Sequence, residues 1–362
     1  LTVSSALLGS AAGALVAGWL ADRFGRRPSM LLAAVMFLLS AVGSALAPGL
    51  VDLVIWRVVG GVAVGFASVL APAYIAEISP AAMRGRTGSL QQLAIVLGIF
   101  ISLLFNYLIV LATSDQEPTS LVGPMAAWRW MLMAEVVPAL LYGLLVLRIP
   151  ESPRYLVRIG HMEQARAVIR RTIGEPTQDV IGRIQASQGS RGSGSIKDLF
   201  SRRSGLLPIV WTGVLLATFQ QLVGINVIFY YSSELWQSVG FSTTESLSVT
   251  VITSVTNVVT TFLAIATIDR LGRRPLLLIG SVVITVSLGL MSWTFAGAPL
   301  VDGMPQLTGA SSMLALISAN VFVFAFGFSW GPVMWVLLGE MFNNRIRAIA
   351  LGLSATVNWL AN

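Results

Sequence analysis

The sequence predicts an all-α membrane protein built from two similar halves, and three observations carry that prediction. The chain is 55% hydrophobic and only 11% charged, with a mean hydropathy of +0.80, whereas soluble domains run near a quarter charged. Successive apolar runs along it are long enough for membrane helices, which need roughly 20 mostly apolar residues each. A short motif occurs twice: Asp22-Arg23-Phe24-Gly25-Arg26-Arg27 returns as Asp269-Arg270-Leu271-Gly272-Arg273-Arg274, each time between two apolar runs. A second pair travels with it, because Glu77 precedes Arg84 by the same seven residues as Glu340 precedes Arg347. Duplicated membrane segments build secondary transporters, with the substrate site at the interface of the repeats.

The elements follow in order. Apolar runs occupy 2–21, 29–47, 52–76, 88–111 and 127–148, then, after a polar insert, 206–232, 246–268, 275–296, 311–338 and 347–362. This gives an N-terminal transmembrane bundle at 1–148, a cytoplasmic helical linker at 149–205 and a C-terminal bundle at 206–362. Of 23 Lys and Arg residues, 21 fall in or beside alternate connections, the exceptions being Arg57 and Arg129. The connections near Pro48, at 112–126, at 233–245 and near Asp302 carry none and therefore face outward. The net charge of +7 thus reads as membrane topology and not as a nucleic-acid surface. Both halves start with a span running inward, as parallel repeats do. If each repeat has six spans, one is missing before Leu1 and one after Asn362, and the chain reads as a fragment of a longer protein.

In the linker, Pro150-Glu151-Ser152-Pro153-Arg154 stops the preceding span, 154–173 reads as a cationic helix, and the Gly/Ser-rich stretch 189–195 is flexible by composition. It either merely joins the halves or latches them on the cytoplasmic side. The single histidine, His161, lies here, solvated and without a role. There are no cysteines, so disulfides and thiolate metal sites are excluded. No His-Glu-x-x-His, Walker, Gly-x-Ser-x-Gly or Gly-x-Gly-x-x-Gly pattern occurs. Catalysis and a bound cofactor are therefore not expected. Lys197 is the one lysine among the basic residues, a composition that suggests a GC-rich bacterial genome.

Polar residues inside spans are expensive and need a reason. Gln91 and Gln92 lie just past Arg86, Gln92 about 9 Å into the membrane at helical rise. The first span after the linker carries Gln220, Gln221, Asn226, Tyr230 and Tyr231. Asn257 and Asn358 sit about 17 Å deep, counted from Asp269 and Arg347. Such amides either glue helices together or line a cavity, and their clustering on four spans favours the cavity. Trp359 adjoins Asn358 at depth, and Trp335 follows the break Gly331-Pro332. Amides and indoles without opposite charges suit a neutral polyhydroxylated ligand better than an ion. Gly224, Gly327, Gly331 and Pro332 mark interruptions of the kind that line transporter sites.

The intramembrane charges are Arg57 and Glu135. Arg57 either snorkels outward or pairs with a carboxylate that loads and releases a proton. On the cytoplasmic face, Asp22 with Arg26 and Arg27, Glu77 with Arg84, and Glu151 with Arg154 form pairs mirrored by Asp269, Arg273, Arg274, Glu340 and Arg347. They either set topology or close the inner side and part when the halves rock.

At these residues the chain resembles the sugar porter family of the major facilitator superfamily. The resemblance rests on the ordered set Asp22 to Arg27, Arg57 to Gly61 and Gly65, Pro72 to Glu77, Arg84-Gly85, Gln91-Gln92 and Pro150 to Arg154. It continues through Gln220-Gln221-Leu-Val-Gly224-Ile-Asn226, Tyr230-Tyr231, Asn257, Asp269 to Arg274, Gly331 to Trp335 and Glu340 to Arg347. It implies the major facilitator fold, two pseudo-symmetric six-helix bundles of which spans 2 to 11 are visible. It also implies alternating access for a hexose or pentose in a bacterial cytoplasmic membrane, by a monomer. The sugar contacts it implies are Gln92, Gln220, Gln221, Asn226, Asn257, Trp335, Asn358 and Trp359. Arg57 and Glu135 resemble the pair of proton-coupled members, where a first-span Asp completes the relay, and Glu135 tilts the reading toward proton symport. Tyr230 and Tyr231 join the gating set. A facilitative uniporter and a non-transporting sugar sensor are the alternatives.

Overall fold

The computed structural model describes residues 2–80, 83–113, 119–173, 176–189, 196–201, 205–230, 232–238, 241–301, 304–305, 307, 309–343 and 346–362. The first five apolar runs become α1 (Thr2–Phe24), α2 (Arg26–Leu46), α3 (Leu50–Ile78), α4 (Arg84–Leu111), and the broken pair α5 (Ala127–Met133) and α6 (Val136–Arg148). The linker holds α7 (Pro153–Arg158), α8 (Met162–Thr172) and α9 (Thr177–Gly189). Then come α10 (Pro208–Leu222), α11 (Ile225–Tyr230), α12 (Ser232–Ser238), α13 (Thr243–Leu271), α14 (Arg273–Ala296), α15 (Ala310–Phe328), α16 (Trp330–Met341) and α17 (Arg347–Ala361). Among the described residues nine segments are long and apolar enough to cross a membrane, and Ile349–Ala361 is a shorter apolar helix. Three two-residue antiparallel hairpins complete the structure.

The chain forms two compact units, one of residues 1–88, 132–219 and 335–362, the other of residues 89–131 and 220–334. In the first, α1 and α3 touch backbone to backbone. A Cβ on Gly61 would lie 2.1 Å from the Ala6 carbonyl oxygen, and one on Gly65 would lie 2.2 Å from that of Ser10. Small residues let membrane helices approach this closely. Gly65→Ala is therefore expected to destabilise the protein by about 1–3 kcal/mol through overpacking. The same change at Gly182, where an added Cβ meets nothing within 4 Å, should be neutral or stabilising. Thermal melts of the two variants in mild detergent check the contrast. α17 joins the α1–α3 pair: Thr356 Oγ1, which donates to the Gly352 carbonyl at 2.8 Å, lies 3.4 Å from the Ala11 carbonyl oxygen, and a Cβ on Gly352 would stand 3.2 Å from the Ala14 carbonyl oxygen.

The repeated motif has the same geometry in each unit. Its glycine takes a backbone that L side chains rarely adopt, φ +102° at Gly25 and φ +84° at Gly272, turning one helix directly into the next. The following arginine bridges back to the aspartate four residues earlier, Arg26 to Asp22 and Arg273 to Asp269, both at 3.1 Å. It also donates to a carbonyl at the end of the preceding helix, Arg26 to Ala21 at 3.1 Å and Arg273 to Ile268 at 3.4 Å. Each of these carbonyls already accepts the N–H of the motif glycine, Gly25 at 3.0 Å and Gly272 at 3.2 Å, so the arginine adds a second donor that closes the helix end.

In the linker the expected single helix over 154–173 is two. Gly160, at φ +83°, separates α7 from α8. The three linker helices share a core of Leu156, Val157, Ala165, Val168, Ile169, Val180, Ile181 and Ile184, which is why this segment folds as a small bundle. His161 is exposed. The expected flexible stretch lies largely outside the described residues.

In the second unit α13 begins with a capping box, Ser242 accepting from the Glu245 amide while Glu245 accepts from Ser242. α14 and α15 pack on Ile225, Ile228, Ile284, Phe322 and Phe326. A Cβ on Gly327 would overlap Thr260 Oγ1 at 2.3 Å and Asn257 Oδ1 at 2.6 Å. Glycine is therefore what admits α13 to this face of α15.

Candidate functional site

Five of the eight candidate substrate residues lie in the second unit and three in the first. In the second unit, the first span after the linker breaks at Gly224, φ +94°, and the break gathers three amides. Gly224 donates its N–H to the Gln221 carbonyl at 3.0 Å. Asn226, the second residue of the resumed helix, donates its side-chain amide to Gln221 Oε1. Gln220, beside it, is 5% exposed. The helix must break here because non-glycine residues pay for this φ with strain.

The second break separates α15 from α16 at Ser329 (φ −126°, ψ −87°). Pro332 has no N–H to return to the Phe328 carbonyl, so the helix cannot run through smoothly. The broken turn is held by Ser329, whose hydroxyl donates to Ala325 at 2.6 Å, and by Trp330, whose indole donates to Ser281 at 3.0 Å. The Gln92 amide nitrogen lies where a Cβ on Gly331 would be only 3.1 Å away. Asn257 is 2% exposed, and among the described residues its Oδ1 has no hydrogen-bond partner. Gln91 has a similarly unsatisfied Oε1. Buried polar atoms are nearly always paired, so each of these two oxygens has the capacity to accept one more donor.

In the first unit, Asn358 donates Nδ2 to the Ala217 carbonyl at 2.9 Å, tying α17 to α10. Its neighbour Trp359 donates its indole N–H to Ser68 Oγ at 3.2 Å. Trp335, 6% exposed, lines a cavity of about 260 Å³ with Pro72, Gly339, Glu340 and Arg347 among its walls. Arg347 donates through Nε and Nη2 to the Phe342 carbonyl, both at 3.2 Å. An arginine closing a helix end five residues back is again the device of Arg26 and Arg273.

Arg57 on α3 reaches Glu135, Nη1 to Oε1 3.9 Å. Glu135 stands at the break between α5 and α6. Pro138 follows three residues later and cannot donate to the Ala134 carbonyl, which gives the break its cause. The pair is long for an ion pair and both side chains are partly open, 35% and 51% exposed. It is a loose contact.

The clustered charges keep the Asp22–Arg26 pair that their spacing predicts and add partners far apart in the sequence. Arg26 grips Glu77 with two donors, Nη2 at 2.9 Å and Nε at 3.1 Å, and Ser152 donates its hydroxyl to the same carboxylate. The side chains of Arg26 and Glu77 are 10% and 6% exposed. Glu151 accepts the backbone N–H groups of Arg26 and Arg27, both at 3.0 Å, and that of Ser152 at 2.7 Å. It thereby caps the start of α2, where a carboxylate meets unpaired donors and the positive end of the dipole. Arg27 donates to the Leu147 carbonyl at 2.6 Å, Arg158 reaches Asp22 at 3.5 Å, and Tyr74 donates to the Pro150 carbonyl at 2.8 Å. Arg154 donates its backbone N–H to Ser152 Oγ at 3.2 Å, the helix cap of α7. Asp269 and Arg273 form the mirrored pair already described, and Arg274 is exposed. Tyr231 and the side chains of Tyr230 and Arg84 lie outside the described residues.

Three contributors escape a reading of the sequence. Ser68 is a single hydroxyl with no motif value until its partner, 291 residues away, is known, and Ser152, though it stands in the Pro150 to Arg154 motif, gives no sign of its partner Glu77, 75 residues away. The hydroxyl pair of Ser232 and Thr250, 2.6 Å apart and buried, is equally silent. The serine before Pro153 offered one clue, since serine with proline at the first helical position is a helix start.

Comparison with known proteins follows the same lines. The profile of the family described as sugar (and other) transporter matches residues 1–362, the whole chain. A glucose transport protein of Synechocystis sp. is 56% identical over 362 residues, covering 100% of this chain and 77% of the relative. A D-xylose-proton symporter of Escherichia coli is 38% identical over 380 residues, covering 99% of this chain and 73% of the relative. In three dimensions the chain matches the proton:xylose symporter XylE bound to 6-bromo-6-deoxy-D-glucose. The TM-score is 0.86 at 36% identity, over 100% of this chain and 76% of that one.

Proposed function

The chain belongs to the sugar porter family of the major facilitator superfamily, and on that premise we propose that it carries a hexose or pentose across the bacterial cytoplasmic membrane by proton-coupled alternating access. The family is one of transporters and not of enzymes, and its fold is the major facilitator fold. The functional division is that of the sequence: a bundle at 1–148, a linker at 149–205 and a bundle at 206–362. Glucose is the substrate to try first, because the 56% identical relative is a glucose transport protein.

The sugar-binding assignment is carried by the amides at the two helix breaks. A monosaccharide presents hydroxyls that both donate and accept. Gln92, Gln220, Gln221, Asn226, Asn257 and Asn358 offer both functions without net charge, and Trp335 and Trp359 offer apolar faces for the ring. The orphaned Asn257 Oδ1 is an acceptor that a sugar hydroxyl would satisfy.

Proton coupling is carried by the Arg57–Glu135 contact. Protonating Glu135 removes its attraction for Arg57 and frees the break between α5 and α6 to move. Deprotonation restores the pair. The cytoplasmic network of Arg26, Glu77, Glu151 and Ser152 then serves as the inner latch, parting as the inner side opens. Glu135→Gln is expected to keep sugar counterflow, which needs no gradient, and to lose accumulation driven by a proton gradient. Equal gradient-driven accumulation in wild type and Glu135→Gln proteoliposomes would remove Glu135 from the coupling step and favour a uniporter.

A further inference from the structure

Trp359 carries one hydrogen-bond donor, and the structure shows where it goes. Its indole N–H meets Ser68 Oγ at 3.2 Å, and the Ser68 hydroxyl donates in turn to the Gly65 carbonyl three residues back on α3, at 2.8 Å. That second bond fixes the hydroxyl proton toward the backbone and leaves an oxygen lone pair for the indole. Ser68 is 9% exposed, so water does not readily stand in for it.

The support behind Ser68 is rigid. Gly65 sits where α3 meets the α1 backbone, with no room for a Cβ. α17, which carries Trp359, is docked on the same helix α1 by Gly352 and by the Thr356 hydroxyl. Three helices of one compact unit therefore determine the position of one indole, and Ser68 is its polar contact on α3. The half-buried Trp359 indole N–H, stripped of its acceptor, turns to find another, because leaving it unpaired is costly.

We propose that Ser68 is a positioning residue for sugar recognition, holding the Trp359 indole in the orientation in which its face meets the sugar ring. This rests on the monosaccharide reading and on Trp359 as a sugar contact. Ser68 acts through the tryptophan and needs no contact of its own with the sugar.

The test is glucose counterflow by the complete protein in proteoliposomes, with Ser68→Ala, Ser68→Thr, Trp359→Phe and the Ser68→Ala/Trp359→Phe double variant. Ser68→Ala is expected to raise KM about tenfold, the cost of one lost hydrogen bond to a half-buried donor, with Vmax unchanged. Ser68→Thr, which keeps the hydroxyl, is expected to retain the wild-type KM. In the Trp359→Phe background the indole donor is gone, and Ser68→Ala is expected to add nothing further, because the two residues act as one unit. Should Ser68→Ala fail to insert, Ser68→Cys, a weak acceptor of similar size, replaces it. An unchanged KM in Ser68→Ala, or the same rise with and without Trp359, overturns the proposal while the transport reading stands. Absence of saturable counterflow of glucose, xylose, arabinose and galactose by the wild type overturns the transport reading, and this inference with it.

Discussion

Replacing Gln221 by alanine is expected to reduce sugar uptake about a hundredfold or more while leaving membrane insertion intact. Two losses combine. The alanine removes an amide from the sugar site, and a site built to hydrogen-bond hydroxyls discriminates steeply when one partner disappears. It also strips Asn226 of the side-chain acceptor it uses at the Gly224 break, so a second amide is free to turn away. Gln220→Ala, which deletes a 5% exposed amide one position earlier, should match it in direction. Zero-trans uptake and equilibrium sugar binding on the same preparations check this. Uptake within a few-fold of wild type in both variants would move the site elsewhere.

The second large effect is expected at Arg26. Its guanidinium neutralises Glu77, whose side chain is only 6% exposed, and it also serves Asp22 and the Ala21 carbonyl. Arg26→Ala leaves a buried carboxylate without its main counter-charge, a loss of about 3–5 kcal/mol. In a chain of 362 residues about 3 kcal/mol corresponds to a fall in Tm of roughly 4 °C. The double variant Arg26→Met/Glu77→Gln removes both charges together and should recover most of that stability. Melting temperatures in detergent decide it; a double variant as unstable as Arg26→Ala would mean that the charges matter through other partners.

The two predictions differ in how visible their causes are in the sequence. Gln221 stands in a motif beside a glycine that interrupts an apolar run, and both the break and the amide could be placed from the pattern alone. The same holds for the break near Gly331-Pro332 and for the turns at Gly25 and Gly272, since glycine and proline announce their backbone needs locally. Span positions were legible because a membrane helix must be long, continuous and apolar. Most observed helices run a few residues past the expected limits because arginines at their ends keep the helix going while their heads reach water.

Arg26 is the opposite case. Spacing suggests short-range pairs, Glu151 with Arg154 and Glu77 with Arg84, whose side chain lies outside the described residues, because residues close in sequence are the pairs a sequence can show. In the structure Glu77 meets Arg26 across 51 residues, and Glu151 meets the start of α2 across about 125. Such partners are chosen by which helix ends converge in space, which no local pattern encodes. The Ser68–Trp359 contact spans 291 residues and was hidden for the same reason. In the linker, Gly160 was readable as a glycine but not as a positive-φ hinge, because the apolar face of 154–173 continues on both sides of it.

The central claim is that this chain carries a monosaccharide with a proton. The most direct measurement is glucose uptake by the complete protein in proteoliposomes, with and without an imposed inward proton gradient. Accumulation above the external concentration, abolished by a protonophore, is the predicted result. Equilibration at the same rate and to the same level with and without the gradient would contradict it.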